Sequence, residues 1–149
     1  MARILSVSGS PSATSRTARL LEHLDERLRG QGHEVTSLQV RTLPADALLG
    51  AQFGHPAVVD ALAGKTVLPL ATGGSTAHVL ALDYALRPVL NSMGPHHILP
   101  GWFTLDRDVT VGEGGELIVA EPSAAALAEV TDRFSVALGG RTVALAQAG

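Results

Sequence analysis

Ile4-Leu5-Ser6-Val7-Ser8-Gly9-Ser10-Pro11-Ser12-Ala13-Thr14-Ser15-Arg16-Thr17-Ala18-Arg19-Leu20-Leu21 is the stretch on which the fold turns. A short apolar run, Ile4 to Val7, ends in a dense cluster of serine, glycine, proline and threonine. A helical pattern follows at once, with Leu20, Leu21, Leu24 and Leu28 at i, i+1, i+4 and i+8. Glu22, Asp25, Glu26 and Arg29 are assigned to the opposite, polar face, and Gly30 and Gly32 end the helix. Glu34 to Val40 then alternates with period two, as a half-buried strand does. Strand, helix and strand in this order form a βαβ unit, and βαβ units build parallel sheets.

Working outward, Pro44, Gly50, Gly54 and Pro56 divide the stretch from Leu43 to Ala63, where Val58, Val59 and Leu62 suggest one short helix. Thr66 to Ala71 reads as an apolar strand closed by Thr72-Gly73-Gly74-Ser75, and Thr76 to Leu90 as a helix with almost no polar face, either distorted at Tyr84 and Pro88 by a π-bulge or a plain core helix that tolerates a proline near its end. Ile98 to Leu105 is a further strand. Val109–Val111 and Leu117–Val119 flank the turn Gly112-Glu113-Gly114-Gly115 as a hairpin. Pro122 opens a last helix through about Leu138, with Glu121 and Ser123 suited to its first turn. The tail, 140–149, is expected to be mobile.

The chain has 149 residues, which is one domain's length, so a single domain over 1–149 is expected. It has no cysteine, which excludes a disulfide framework, a thiol nucleophile and a thiolate metal site. Its formal charge of −3 supplies no basic field for nucleic acid. No apolar run reaches the roughly twenty residues of a membrane span, and Met1 to Ser10 lacks the apolar stretch of a signal peptide. A cytoplasmic protein is expected.

Two loops carry chemistry. The first, Ser8 to Thr17, places free N–H groups of a helix start and the hydroxyls of Ser10, Ser12, Ser15 and Thr17 around one turn, with Arg16 adding charge. That arrangement suits a phosphate. It equally suits an ordinary capped turn, because serine and threonine are the usual N-cap residues. The Gly-x-x-x-x-Gly-Lys and Gly-x-Gly-x-x-Gly loops of nucleotide and dinucleotide sites are both missing. The second loop, Thr72-Gly73-Gly74-Ser75, closes another strand before another helix, so both open on the carboxyl edge where parallel sheets bind ligands. Its glycines let backbone lie flat against a planar group, or simply form a tight turn.

His78, in the first turn after Gly73-Gly74, either approaches such a ligand or satisfies the helix start. His96-His97 points to opposite faces of a strand and lacks a third ligand, so no metal is expected. Trp102 and Phe103 read as core or interface.

Ser8-Gly9-Ser10-Pro11 through Ser15-Arg16-Thr17 resembles the start of the flavodoxin-like NAD(P)H-dependent FMN reductases. Gly64-Lys65-Thr66-Val67-Leu68-Pro69-Leu70-Ala71-Thr72-Gly73-Gly74-Ser75-Thr76-Ala77-His78, continued by Ala81 to Leu90, is a more specific match. It resembles the alkanesulfonate-type reductases that supply reduced FMN to two-component monooxygenases. The resemblance implies an α/β, flavodoxin-like parallel sheet with helices on both faces. It implies hydride transfer from NADPH or NADH to FMN, the phosphate held by Ser10, Ser12, Ser15, Arg16 and Thr17, and the ring beside Thr72, Gly73, Gly74 and Ser75. It implies no catalytic acid or base side chain, a possible monooxygenase partner, and a homodimer or homotetramer packed through Thr76–Leu90. The alternative is a flavodoxin-like FMN-binding module with little turnover. One departure stands out: a strand, a flavin-contacting loop and a helix of the family have no counterpart after Ala61, a segment of about 30 residues or more. Read as continuous, the shortened chain brings the Val67 strand directly beside the Ile4 strand.

Overall fold

The computed structural model describes residues 1–12, 14–42 and 62–146, with backbone alone from 140. The short helix expected around Val58 and Val59 lies outside these residues. The βαβ unit forms as its pattern dictates: β1 (Arg3–Ser8), α1 (Arg16–Gly30) and β2 (Glu34–Gln39). β1 and β2 are parallel in register from Arg3↔Glu34 to Ser8↔Gln39. Ser15 caps α1, its Oγ accepting the Ala18 N–H at 3.1 Å. The helix ends where Gly32 takes a φ of +85°, a conformation that glycine alone adopts without strain.

α1 buries Leu20, Leu24 and Leu28, each side chain contributing about 1.5–3 kcal/mol of hydrophobic stabilisation. It also buries Asp25, at 2% exposure, which corrects the assignment of that residue to the polar face. The reason lies in the strands. Ser6, Ser8, Ser37 and Gln39 share the face of the β1–β2 ribbon that α1 covers, so that part of the contact is polar. Ser37 Oγ donates to Asp25 Oδ2 at 2.6 Å.

The expected strands over 66–71 and 98–105 are each broken once. β3 (Thr66–Val67) pairs in parallel with β5 (His97–Ile98), and β4 (Leu70–Gly73) with β6 (Trp102–Leu105). Pro69 has no N–H to donate and interrupts the ladder. Its carbonyl still accepts the Trp102 N–H at 3.3 Å. A Cβ on Gly101 would stand 2.2 Å from that carbonyl oxygen, so only glycine allows the approach.

The strand over 66–73 therefore lies beside 97–105 and, among the described residues, forms no ladder with β1. This corrects the expectation that it pairs directly with the Ile4 strand. The two parallel ribbons are instead joined through the helices on one face. Ile4 and Leu68 pack on a cluster of Leu28, Leu99 and Phe134, while Leu70 and Trp102 pack on Leu20, Leu24, Val109 and Leu127. Leu127 and Phe134 belong to α3 (Ser123–Ala146), which continues eight residues past the expected end near Leu138 into the tail expected to be mobile.

The other face of the ribbons carries the segment after Gly73. Trp102 faces α1 and α3, so its neighbour Phe103 faces away, and there it meets Gly73. The helix expected over Thr76–Leu90 is distorted where Tyr84 and Pro88 point, and is three pieces: a 3₁₀ turn (Thr76–His78), a π-helical stretch (Leu82–Leu86) and α2 (Arg87–Ser92). Pro88 lies next to the junction of the last two, where a missing backbone donor makes a wider turn tolerable. Arg87 fixes the piece to the sheet, donating to the Ile98 and Leu99 carbonyls at 3.3 and 3.1 Å and to Asp83 at 3.1 Å. The hairpin forms as read, β7 (Val109–Val111) antiparallel to β8 (Leu117–Val119). Ser123 Oγ donates to Asp108 Oδ2 at 2.6 Å, and the Glu121 carboxylate accepts the Ala125 N–H at 3.2 Å.

Candidate functional site

The carboxyl ends of β1 and β4 carry the loops that the sequence singles out. After β1, the side chains of the first loop fold back on their own backbone. Ser12 N–H donates to Ser10 Oγ at 3.4 Å, Thr14 N–H donates to Ser12 Oγ at 3.2 Å, and the hydroxyls of Ser12 and Thr14 lie 3.3 Å apart. Ser12 and Thr14 are exposed and Ser10 is half-buried. Ser15 is 8% exposed and already engaged as the cap. Arg16 is exposed, makes no ion pair among the described residues, and opens a helix whose first turn has no acidic residue.

These features suit an anion. Ser15 occupies the Ala18 N–H, and the N–H groups of Arg16 and Thr17 remain uncommitted among the described residues at the positive end of α1. A Cβ on Gly9 would meet nothing within 4 Å, so the entry to the loop is open.

After β4, Ser75 caps the 3₁₀ turn, accepting the Ala77 N–H at 3.2 Å. Gly73 has no room for a side chain, because a Cβ there would stand 2.8 Å from the Phe103 ring and 3.8 Å from His78 Cβ. The small residue lets the loop lie against Phe103 while the exposed Gly74 and Ser75 form the outer rim. Thr72 Oγ1 and Thr17 Oγ1 are 2.5 Å apart, a hydrogen bond between the two loops across 55 residues of sequence. The structure thus brings Thr17 and Thr72 together, with Ser15 and Arg16 preceding Thr17 and Gly73 to Ser75 following Thr72. Sequence reasoning placed both loops on one edge but had no signal for this contact, since the β1 and β4 ribbons share no ladder.

Two features were missed. Asp25, with Ser6 and Ser8, forms a buried polar cluster directly under the start of the first loop; Ser6 Oγ, Ser8 Oγ and Asp25 Oδ1 have no hydrogen-bond partner among the described residues. The alternation of serines at 6 and 8 was its only trace. Asp106 follows β6 beside Gly74, its Oδ2 3.9 Å from where a Gly74 Cβ would stand. The pairing Gly73↔Leu105 puts it there, and pairing is not written in either strand alone.

The remaining residues are simpler. His78 is exposed next to Gly73, and His96 and His97 are exposed at β5. Among the described residues no cluster of three metal-ligating side chains occurs. Trp102 and Phe103 are half-buried, the first in the core and the second under Gly73.

Comparison with known proteins gives the chain a family. A family model of NADPH-dependent FMN reductases matches residues 2–62. An FMN reductase (NADPH) of Pseudomonas putida is 37% identical over an alignment of 147 positions, spanning 74% of this chain and 75% of the relative. One of Escherichia coli is 34% identical, spanning 72% and 75%. An alignment of 147 positions that uses 74% of a 149-residue chain holds stretches of the relative with no counterpart here, in keeping with the shortened middle. Among solved structures, an NADH:FMN oxidoreductase in its apo form superposes with a TM-score of 0.75 at 32% identity, covering 91% of this chain and 89% of its own. The fold is accordingly flavodoxin-like α/β. Identity at this level over most of both chains, together with the two loops in place, means that the chain belongs to the NADPH-dependent FMN reductase family.

Proposed function

We propose that this chain is an NADPH-dependent oxidoreductase that binds FMN and the nicotinamide nucleotide at the carboxyl edge of β1 and β4. The observation that carries the reading is the Thr17–Thr72 hydrogen bond, which holds an anion-binding helix start against a Gly-Gly loop. Ser10, Ser12, Ser15, Arg16 and Thr17 hold the phosphate, through hydroxyls, free N–H groups and one guanidinium. Thr72, Gly73, Gly74 and Ser75 hold the ring, and the backbone N–H dipoles of that loop favour negative charge on a ring laid against them. The cofactors supply the hydride chemistry, from nicotinamide to flavin; the protein's part is alignment and electrostatics. No side chain is assigned as acid or base.

The reduced flavin goes to a flavin-dependent monooxygenase, the cell compartment is the cytoplasm, and residues 1–149 act as one domain. Among the described residues no helix is long and apolar enough to cross a membrane. The protein assembles as a dimer or tetramer through Thr76–Leu90. Leu80 and Tyr84 are 60% and 77% exposed, and Val79, Leu86 and Val89 accompany them, while Leu82 turns inward. That is more apolar surface than one solvated helical segment carries.

A second reading, an FMN-binding module with little turnover, is favoured by one observation. Leu5 and Val7 of β1 are about half exposed, and β1 has no partner on its second edge among the described residues. Titration of the chain with FMN, beside NADPH consumption with and without added FMN, separates the two. Saturable FMN binding with FMN-dependent consumption supports the reductase. Binding without consumption supports the module, and no binding refutes both.

A further inference from the structure

The carboxylate of Asp106 belongs to neither of the two loops. It stands half-buried at the carboxyl end of β6, next in line after the Gly73↔Leu105 pair. Its Oδ2 lies 3.9 Å from the Cβ position of Gly74. Among the described residues its side chain takes part in no hydrogen bond or ion pair; the nearby guanidinium of Arg107 turns to Asp108 at 3.9 Å. An acceptor without a donor thus sits against Gly74, whose N–H lies past the end of β4 and takes part in no hydrogen bond among the described residues.

The pyrimidine edge of a flavin ring presents acceptor, donor, acceptor: the two carbonyl oxygens and, between them, N3–H. Backbone N–H groups of a Gly-Gly loop satisfy a carbonyl oxygen but not N3–H. A buried donor left unpaired costs the full desolvation of that group, so a site that encloses this edge needs an acceptor beside its donors. We propose that Asp106 is the residue that reads this edge, its carboxylate accepting the N3–H hydrogen bond while the Gly74 N–H serves the adjacent carbonyl. This rests on the flavin reading given above and adds to it a determinant of which planar ring is accepted. A ring system without a donor at that position, or with a methyl group on it, leaves the carboxylate desolvated and unpaired, and charged groups lose most by that.

The test is a set of flavin fluorescence titrations with FMN and with N3-methyl-FMN, on the unaltered chain and on Asp106→Ala and Asp106→Asn. The unaltered chain binds FMN at least about tenfold more tightly than the methylated analogue. Asp106→Ala loses about that factor for FMN and no longer separates the two flavins. Asp106→Asn, whose amide oxygen still accepts, keeps part of the preference. Equal discrimination by the unaltered chain and Asp106→Ala overturns the assignment, because the coupling between residue and N3–H is then zero. Binding of neither flavin by the unaltered chain overturns the flavin reading itself, and the two failures are told apart in the same titration.

Discussion

Replacing Ser15 and Thr17 together by alanine separates phosphate recognition from everything else these residues do. The structure gives each hydroxyl a second task. Ser15 Oγ caps α1 through the Ala18 N–H, and a lost N-cap costs about 1 kcal/mol. Thr17 Oγ1 bonds Thr72 Oγ1 in a half-buried contact, worth about 1 kcal/mol more. The doubly substituted chain is therefore less stable by about 2 kcal/mol, which lowers the melting temperature by roughly 4–8 °C for a domain near 150 residues. It still folds, and its flavin affinity remains measurable below the transition. Hydrogen bonds to a charged group are worth about 1.5–3 kcal/mol each. FMN should then bind at least about tenfold more weakly, and a hundredfold loss is within range. Riboflavin has no phosphate and should lose little. Paired fluorescence titrations with the two flavins, at a temperature where both chains are folded, make the comparison. Equal losses for FMN and riboflavin would show that the loop does not hold the phosphate, and the site reasoning would be wrong.

Other expectations follow from particular contacts. Leu82→Asp, at a buried position, should unfold the subunit, whereas Leu80→Asp or Tyr84→Asp, at exposed ones, should lower the assembled mass in light scattering and leave the melt nearly unchanged. Native mass in both exposed variants removes that surface from the interface. Gly101→Ala drives a methyl group into the Pro69 carbonyl and should cost at least about 2 kcal/mol in denaturant unfolding. Arg87→Ala removes three hydrogen bonds and should cost about 2 kcal/mol, with β5 amides losing hydrogen-exchange protection first. The Arg27 guanidinium and then the Gln31 amide hold the Asp132 carboxyl below its ordinary value of 3.8. A depressed carboxylate stabilises the fold above that ordinary value and loses its contribution as pH falls through the depressed one. Arg27→Ala should therefore flatten the acid limb of a stability–pH profile below about pH 4, and an unchanged limb would remove the pair from the account. Insertion of a strand, loop and helix of family type after Ala61 should raise NADPH consumption at saturating FMN far more than FMN affinity, because turnover needs both rings held within about 3.5 Å.

The elements that were legible in the sequence are those whose information is local. The Leu20/Leu24/Leu28 spacing, the serine at the head of α1, the alternation over 34–39 and the Gly112–Gly115 turn each specify a structure without help from distant residues. What was not legible depends on partners. Asp25 looks like a surface residue until the serines of β1 and β2 are placed beneath it. The pairing of 66–73 with 97–105, rather than with β1, is set by two helices that bind both ribbons from one face. The break at Pro69 was visible as a proline, but the Gly101 that accommodates its carbonyl gained meaning only with the register. The two loops are legible because serine, threonine and glycine between a strand's carboxyl end and the next turn mark a loop open to a ligand. The Thr17–Thr72 bond between them, and Asp106 at their side, belong to tertiary structure.

The central claim is that the β1 and β4 loops together bring a nicotinamide and a flavin into reacting distance. The most direct measurement is the loss of flavin absorbance under anaerobic conditions, with NADPH and FMN mixed in the presence and absence of the chain. The account predicts that the chain bleaches FMN faster than the protein-free mixture, with one NADPH consumed per flavin reduced and no consumption when flavin is left out. Bleaching no faster than the protein-free mixture, at a chain concentration that saturates FMN binding, would contradict it.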